Sequence, residues 1–248
     1  MLKQPVFINS IASISALGTT SAEIWNNYLH ENSLFQKMEA NKRQYWVSKF
    51  SEKESLLLEE TITTDSKYKH LDKSVVMAIL VARKCFENSH FSDKNVGINF
   101  GSSRGATTLF EKHHSDFISD GFVSTFTSPS TTLGNISSWV SHDLQTEGPE
   151  ISHSITCSTG LHAVLNGIAW LQSGMSNQFL VGASEAPLTP FTLSQLSALK
   201  VYSTEENALA NRSLDFSKTS NTMVLGEAAA CLSLSLLLEN AIAKISGI

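Results

Sequence analysis

Between Ile151 and Gly174 the chain reads ISHSITCSTGLHAVLNGIAWLQSG, and this stretch constrains the fold more than any other. Ile151–Thr156 is β-branched at alternate positions, as a strand is. Cys157-Ser158-Thr159-Gly160 is a turn of small residues. From there Leu161, Val164, Leu165, Ile168 and Leu171 recur at the spacing of one helix face. Strand, small-residue turn and helix in that order require layers of sheet and helix. They also place a cysteine where a strand ends and a helix starts. Unpaired N–H groups and the positive end of the helix dipole favour an anion there, and the thiolate is the reactive form of cysteine. Cys157 is therefore a candidate nucleophile. The competing reading is that it is a small buried hydrophobe, as free cysteines commonly are. Cys85, inside an amphipathic helical run, and Cys231, inside an apolar strand-like run, fit that second reading.

The chain has 248 residues, 42% of them apolar, enough for one large domain or two small ones. A formal charge of −5 gives no basic footprint for nucleic acid. Three cysteines at unrelated spacings make neither a disulfide framework nor a zinc motif, which fits a reducing compartment. The N-terminal run is broken by Asn9 and serines and reads as strand plus turn rather than as a signal peptide. Met223–Leu238 carries Glu227 and is too short to span a bilayer. The expectation is a soluble cytoplasmic protein.

Along the chain, Val6–Ile14 reads as a strand, Leu17-Gly18 as a turn, and Thr20–Glu23 as a capped helix start. Residues 31–70 show no sustained period and are expected to form loops, short helices and one strand at Tyr45–Phe50. Leu71, Val75, Ile79, Ala82 and Phe86 mark a helix, with Asp72 at its start. Val96–Phe100 is a buried strand, followed by Gly101–Gly105 and a helix through Phe117. From Gly121 to Lys200 charges are so few that the segment must be covered by its own sheet, another domain or a partner subunit. Ser130–Leu144 should be one helix, Gln178–Val181 a strand and Gly182–Pro187 a turn. Val224–Leu237 should hold one or two strands with a kink at Gly226, and an extended segment starts at Ala243.

In order, SALG, VGINFGSSRG, SPSTTLGNISSWVSHDL, Gly148-Pro149, ITCSTGLHAVLNGIAWLQSG, FLVGASEAPLTP, RSLDF and LGEAA resemble the N-terminal half of the β-ketoacyl-ACP synthases. The resemblance covers nearly the whole chain. It implies a thiolase-like α/β/α layered domain over residues 1–248 with a central mixed five-stranded sheet, the family's C-terminal half being unmatched. It implies that Cys157 accepts an acyl group from a carrier-protein thioester, before decarboxylative Claisen condensation with malonyl-ACP. Ser158, Phe191 and Phe216 would contact substrate, and Glu227 and Asp215 would be structural residues near the site. No cofactor or metal is implied, because the substrates ride on the phosphopantetheine of acyl carrier protein. That carrier is the expected partner, together with a second subunit, identical or not, paired through Ile151–Thr156. Neither nucleic acid nor membrane is expected.

This sequence departs from the family pattern at Leu225–Ala230, where two loop glycines are replaced, and at Lys218, which stands near the family's arginine. The histidines that assist decarboxylation are not matched. The alternative within the family is a non-catalytic, chain-length-type partner of a synthase heterodimer. A rival from another class is a serine hydrolase, with Ser103 in Gly101-x-Ser103-x-Gly105, Asp116 or Asp143, and His153 or His162. His113 and His114 read as solvated surface.

Overall fold

The computed structural model describes residues 2–30, 33–91, 93–132, 135–207 and 209–247. Its centre is a mixed sheet in the order β5-β4-β6-β8-β1-β9. The strands are β1 (Val6–Ser15), β4 (Val96–Gly101), β5 (Glu150–His153), β6 (Gln178–Glu185), β8 (Ala228–Ser235) and β9 (Ala243–Ile245). β4 runs parallel to both β5 and β6, whereas β8 is antiparallel to β6 and to β1. The expected five strands are present, and β9 adds three residues beside β1. A separate three-stranded sheet joins β2 (Gln36–Ala40), β3 (Arg43–Ser48) and β7 (Leu225–Gly226).

Alternation along β4 assigns the layers. Val96, Ile98 and Phe100 face a core shared with helices α3 (Lys73–Ser89) and α6 (Asn135–Leu144). Gly97, Asn99 and Gly101 face the opposite side, where helix α7 (Thr159–Ser173) packs on Phe179, Val181 and Leu234. Glycine on that side is required by close approach, since a Cβ on Gly97 would lie 1.9 Å from the Phe179 ring. Helices therefore cover both faces of one sheet, the α/β/α arrangement.

α3 starts where Asp72 accepts from the Ser74 backbone N–H (2.9 Å) and hydroxyl (2.7 Å), an N-cap that satisfies a free helix donor. Its second oxygen accepts from Leu109 N–H at 3.1 Å, which ties α3 to α4 (Thr107–Asp120). Val75, Val76, Met77, Ala78, Ile79, Val81 and Ala82 are all buried, more than one stripe would predict. The reason is its position: α3 packs on β1, β6 and β8 and is itself overlain by α6 and α2 (Glu52–Thr63).

Four expectations are corrected. Besides the expected strand, which is β3, residues 31–70 carry a second strand, β2, and a twelve-residue helix, α2, started by the reciprocal Ser51–Glu54 capping box. Ser130–Leu144 is not one helix but α5 (Thr127–Thr131) followed by α6, with Leu133 and Gly134 outside the described residues. Gly182–Glu185 is not a turn but the end of β6, paired residue by residue with Ala228–Cys231. Gly182 belongs in a strand because β8 passes so close that a Cβ there would lie 2.4 Å from the Ala230 carbonyl oxygen. His113 is buried on α4, not solvated. The bend at Gly226 is as expected, falling between β7 and β8.

Candidate active site

β5 ends at His153, not at Thr156, and the next residues fold into a tight turn. The Thr159 side chain closes it: its hydroxyl accepts from Ile155 N–H at 2.9 Å and donates to the Thr156 carbonyl at 2.6 Å. The Ser158 hydroxyl donates to the Ile155 carbonyl at 2.9 Å. These bonds hold Thr156 at φ +47°, an unusual conformation for a β-branched residue. Strain of this kind, about 1–3 kcal/mol, persists where the surroundings over-determine it and clusters at functional sites.

Cys157 sits in this turn, exposed, one residue before the N-cap Ser158 and two before α7 begins. It is thus just outside the helix, at the positive end of the dipole. Cys85 and Cys231 are both fully buried. Burial pushes the Cys231 thiol well above its usual range. Iodoacetamide is accordingly expected to label the native protein at Cys157 alone and all three cysteines in denaturant, which intact mass reads directly. Labelling of Cys85 or Cys231 in native protein would contradict these burials.

Two neighbouring strands support the turn. Ser102 N–H donates to the His153 carbonyl at 3.3 Å, and the Ser154 hydroxyl to the Ser103 carbonyl at 3.2 Å. Glu185, at the end of β6, accepts from Ser103 N–H and from the Ser102 hydroxyl. The His153 ring nitrogen Nε2 lies 3.1 Å from the Thr159 carbonyl oxygen. His162, half-buried on α7, has Nδ1 3.0 Å from the Ser158 carbonyl oxygen. Sequence reading passed over Glu185, Thr159 and the bonding of His153. The available signal was a lone carboxylate at the C-terminal end of a strand in a nearly uncharged stretch.

The remaining predicted residues are dispersed. Glu227 is buried, accepting from Phe50 N–H at 3.1 Å and from Lys73 Nζ at 2.7 Å, so it joins the start of α3 to the β7–β8 bend. Asp215 lies in the irregular segment before β7. Ser217 first and then Arg212 hydrogen-bond it and hold its carboxyl near 2. Lys218 donates to the Arg212 and Ser213 carbonyls, both at 3.1 Å. Phe191 is exposed at the start of α8 (Pro190–Ala198), and Phe216 is 99% exposed, so neither is packed into an enclosed pocket.

The N-terminal domain of the β-ketoacyl synthases matches residues 3–240. The chain belongs to this family. Among its β-ketoacyl synthase relatives, 3-oxoacyl-[acyl-carrier-protein] synthase 2 of Coxiella burnetii is 25% identical over 240 residues, covering 94% of this chain and 58% of that protein. The namesake enzyme of Vibrio harveyi is 25% identical, covering 92% and 57%. The chain thus spans 57–58% of the length of these relatives. Among solved structures, a β-ketoacyl synthase from Burkholderia phymatum STM815 superposes with a TM-score of 0.79 at 18% identity, covering 94% of this chain and 59% of that one. The ketosynthase/chain length factor of ishigamide superposes at 0.74 and 15% identity, covering 96% and 63%. At these identities the structural likeness shows the fold, and the fold is the thiolase-like one expected.

At the Gly101–Gly105 bend the Ser103 N–H donates to Glu185. Asp143 is occupied by Arg83 and Tyr68, and Asp116 lies on α4. No helix among the described residues is long and apolar enough to cross a membrane.

Proposed function

We propose that the chain is the nucleophile-bearing part of a β-ketoacyl-ACP synthase, an acyltransferase of the cytoplasm, with Cys157 as acyl acceptor. The observation that carries this reading is an exposed thiol in a strained, hydrogen-bonded turn between the end of a parallel strand and a helix N-terminus. In the first step the thiolate attacks the carbonyl carbon of an acyl thioester. The tetrahedral oxyanion collapses, the pantetheine thiol leaves with a proton, and the acyl group remains on Sγ. Backbone N–H groups at the turn, that of Cys157 among them, are the donors for the oxyanion. In the second, malonyl thioester loses carbon dioxide, its enolate carbon attacks the acyl-cysteine carbonyl, and the Cys157 thiolate is released as the β-ketoacyl thioester forms. The groups that assist decarboxylation belong, in this reading, to the part of the relatives that this chain does not span.

Acyl carrier protein is the proposed partner. The names of the relatives and a solved complex described as a type II acyl-carrier protein with its ketosynthase, TM-score 0.79, support it. A second synthase subunit, identical or not, is proposed along β5. That strand is the sheet edge, and Ile151, Ile155, Leu161 and Leu165 are exposed around it. An uncovered edge with apolar flanks is a pairing surface. Superposition on ketosynthases solved with their chain length factors favours a second reading, a non-catalytic partner subunit. The retained, exposed cysteine weighs against it.

The deciding experiment is intact-protein mass after incubation with acyl-ACP or acyl-CoA, alongside Cys157→Ala. An acyl adduct that disappears in the variant is expected. No adduct on folded wild-type protein would sink the catalytic reading and leave the partner-subunit one.

A further inference from the structure

Beneath the nucleophile turn lie two polar side chains that the proposed chemistry does not use. Asn99 on β4 is 0% exposed, and neither its amide nitrogen nor its oxygen has a hydrogen-bond partner among the described residues. His153 Nδ1, on the adjacent strand β5, is also buried and unpaired. Unpaired buried groups of this kind are rare, because each gives up its bonds to water and gains none in return.

Strand register brings the two together. Asn99 stands opposite Ile151, and Gly101 opposite His153. Residues two apart share a sheet face, so Asn99 and His153 are diagonal neighbours on the face toward α7. With strands about 4.8 Å apart and about 3.3 Å of rise per residue, their Cα atoms are roughly 8 Å apart. Having no Cβ, Gly101 lets the ring lie close to the strand: a Cβ there would lie 3.1 Å from His153 Cε1.

Ring chemistry says what each atom needs. His153 Nε2 lies 3.1 Å from a carbonyl oxygen, which only accepts, so Nε2 carries the proton and Nδ1 of the neutral ring presents a lone pair. The Asn99 amide supplies the matching donor, and its oxygen would accept if Nδ1 were protonated. We infer that Asn99 and His153 form one polar pair, bridged by a single water, and that this pair positions the Cys157 turn.

From the ring onward the transmission runs through hydrogen bonds of the structure. Asn99 fixes the ring, Nε2–H holds the Thr159 carbonyl, and the Thr159 hydroxyl holds Ile155 and Thr156 on either side of the strained peptide. Without Asn99 the ring is free to exchange tautomers or turn over, and Thr159 loses one of its anchors. Asn99 and His153 are positioning residues in this scheme, and neither touches the reacting atoms. The positioning role rests on the reading of Cys157 as nucleophile; the pair itself does not.

The test compares wild type with Asn99→Leu, similar in volume but apolar, and Asn99→Ser, polar with room for a water. Two readouts are taken: the nitrogen resonances of labelled His153, and the rate of Cys157 alkylation by iodoacetamide. In wild type and Asn99→Ser the ring is expected as the Nε2–H tautomer with a hydrogen-bonded Nδ1. In Asn99→Leu the Nδ1 resonance moves to that of a bare nitrogen or averages between tautomers, and alkylation slows several-fold. His153→Phe, which keeps a ring but no nitrogen, should slow alkylation similarly and serves if Asn99→Leu fails to fold. Unchanged His153 resonances in folded Asn99→Leu overturn the pair, whatever the alkylation rate does. Changed resonances with unchanged alkylation overturn the positioning role. If wild type takes no acyl group but the resonances respond, the nucleophile reading fails and the polar pair stands.

Discussion

Arg83→Ala is expected to destabilise the fold by about 3–5 kcal/mol, and Asp143→Ala by clearly less. Arg83 grips Asp143 with two nitrogens, Nε at 2.8 Å from one oxygen and a terminal nitrogen at 2.7 Å from the other. Tyr68 donates its hydroxyl to the same carboxylate. The bond to Asp143 raises the Arg83 guanidinium above its usual range, while burial and then Asp143 push the Tyr68 phenol up. The asymmetry comes from exposure: the Asp143 side chain is 3% exposed and that of Arg83 31%. Removing the arginine strands a carboxylate away from water, whereas removing the aspartate leaves a guanidinium that can still be hydrated. Urea unfolding should show the midpoint falling with an unchanged slope. Arg83→Met combined with Asp143→Leu should recover most of the loss, since apolar replacement of both partners removes the desolvation cost. A cost below about 1 kcal/mol for Arg83→Ala would place the pair with ordinary surface bridges. The pair clamps α3 to α6, and α6 in turn holds the edge strand: the Ser137 hydroxyl accepts from Phe100 N–H at 2.9 Å and donates to the Ile151 carbonyl at 2.7 Å. Loosening α6 therefore reaches β5 and the turn beyond it.

α7 illustrates how far periodicity carries and where it stops. The stripe Leu161, Val164, Leu165, Ile168 and Leu171 correctly marks a helix, yet Leu161 is 77% exposed and Leu165 is exposed as well. The face against the sheet is the one with small residues, Gly160, Ala163 and Gly167, because the helix lies so close that a Cβ on Gly167 would meet Val181 at 2.5 Å. Hydrophobicity points to buried faces in general but cannot tell the sheet from a second subunit. Val96–Phe100 was readable because Val96, Ile98 and Phe100 alternate in a short uncharged run that ends at a glycine turn, the pattern of a strand. Of residues 36–48 only the part from Tyr45 was readable as strand, since β2 and β3 form a small sheet whose exposed positions carry Gln, Lys, Glu and Arg and whose third strand is Leu225–Gly226, far along the chain. The location of Cys157 followed from local pattern, strand end, small residues and helix. The support for it did not, because Glu185 reaches Ser102 and Ser103, and Ser154 reaches Ser103, across strands remote in sequence.

Gly101→Ala is expected to slow acyl loading of Cys157 by about 10- to 100-fold, and adding Thr159→Ser to restore much of it. The added Cβ would lie 2.2 Å from Thr159 Cγ2 and 3.0 Å from the His153 carbonyl oxygen. A methyl forced into a packed site costs about 1–3 kcal/mol in shifted neighbours. Here the neighbour that must shift is Thr159, whose hydroxyl closes the turn around Cys157. If Thr159 rotates to clear the clash, both of its bonds are lost; if it does not, β5 moves. Either way the thiol leaves its position at the end of α7, and displacements of this order cost such factors in rate. Serine at position 159 removes the clashing Cγ2 and keeps the oxygen that bonds Ile155 and Thr156, so the double variant separates steric pressure on the turn from general damage to the sheet. Loading is read by intact mass against time, stability by urea midpoint. Rescue of loading by Thr159→Ser, in the Gly101→Ala background and not with Thr159→Ala, would establish that the Thr159 hydroxyl holds the nucleophile in place. Equal loading in all four proteins would mean that Cys157 reacts as a free surface thiol.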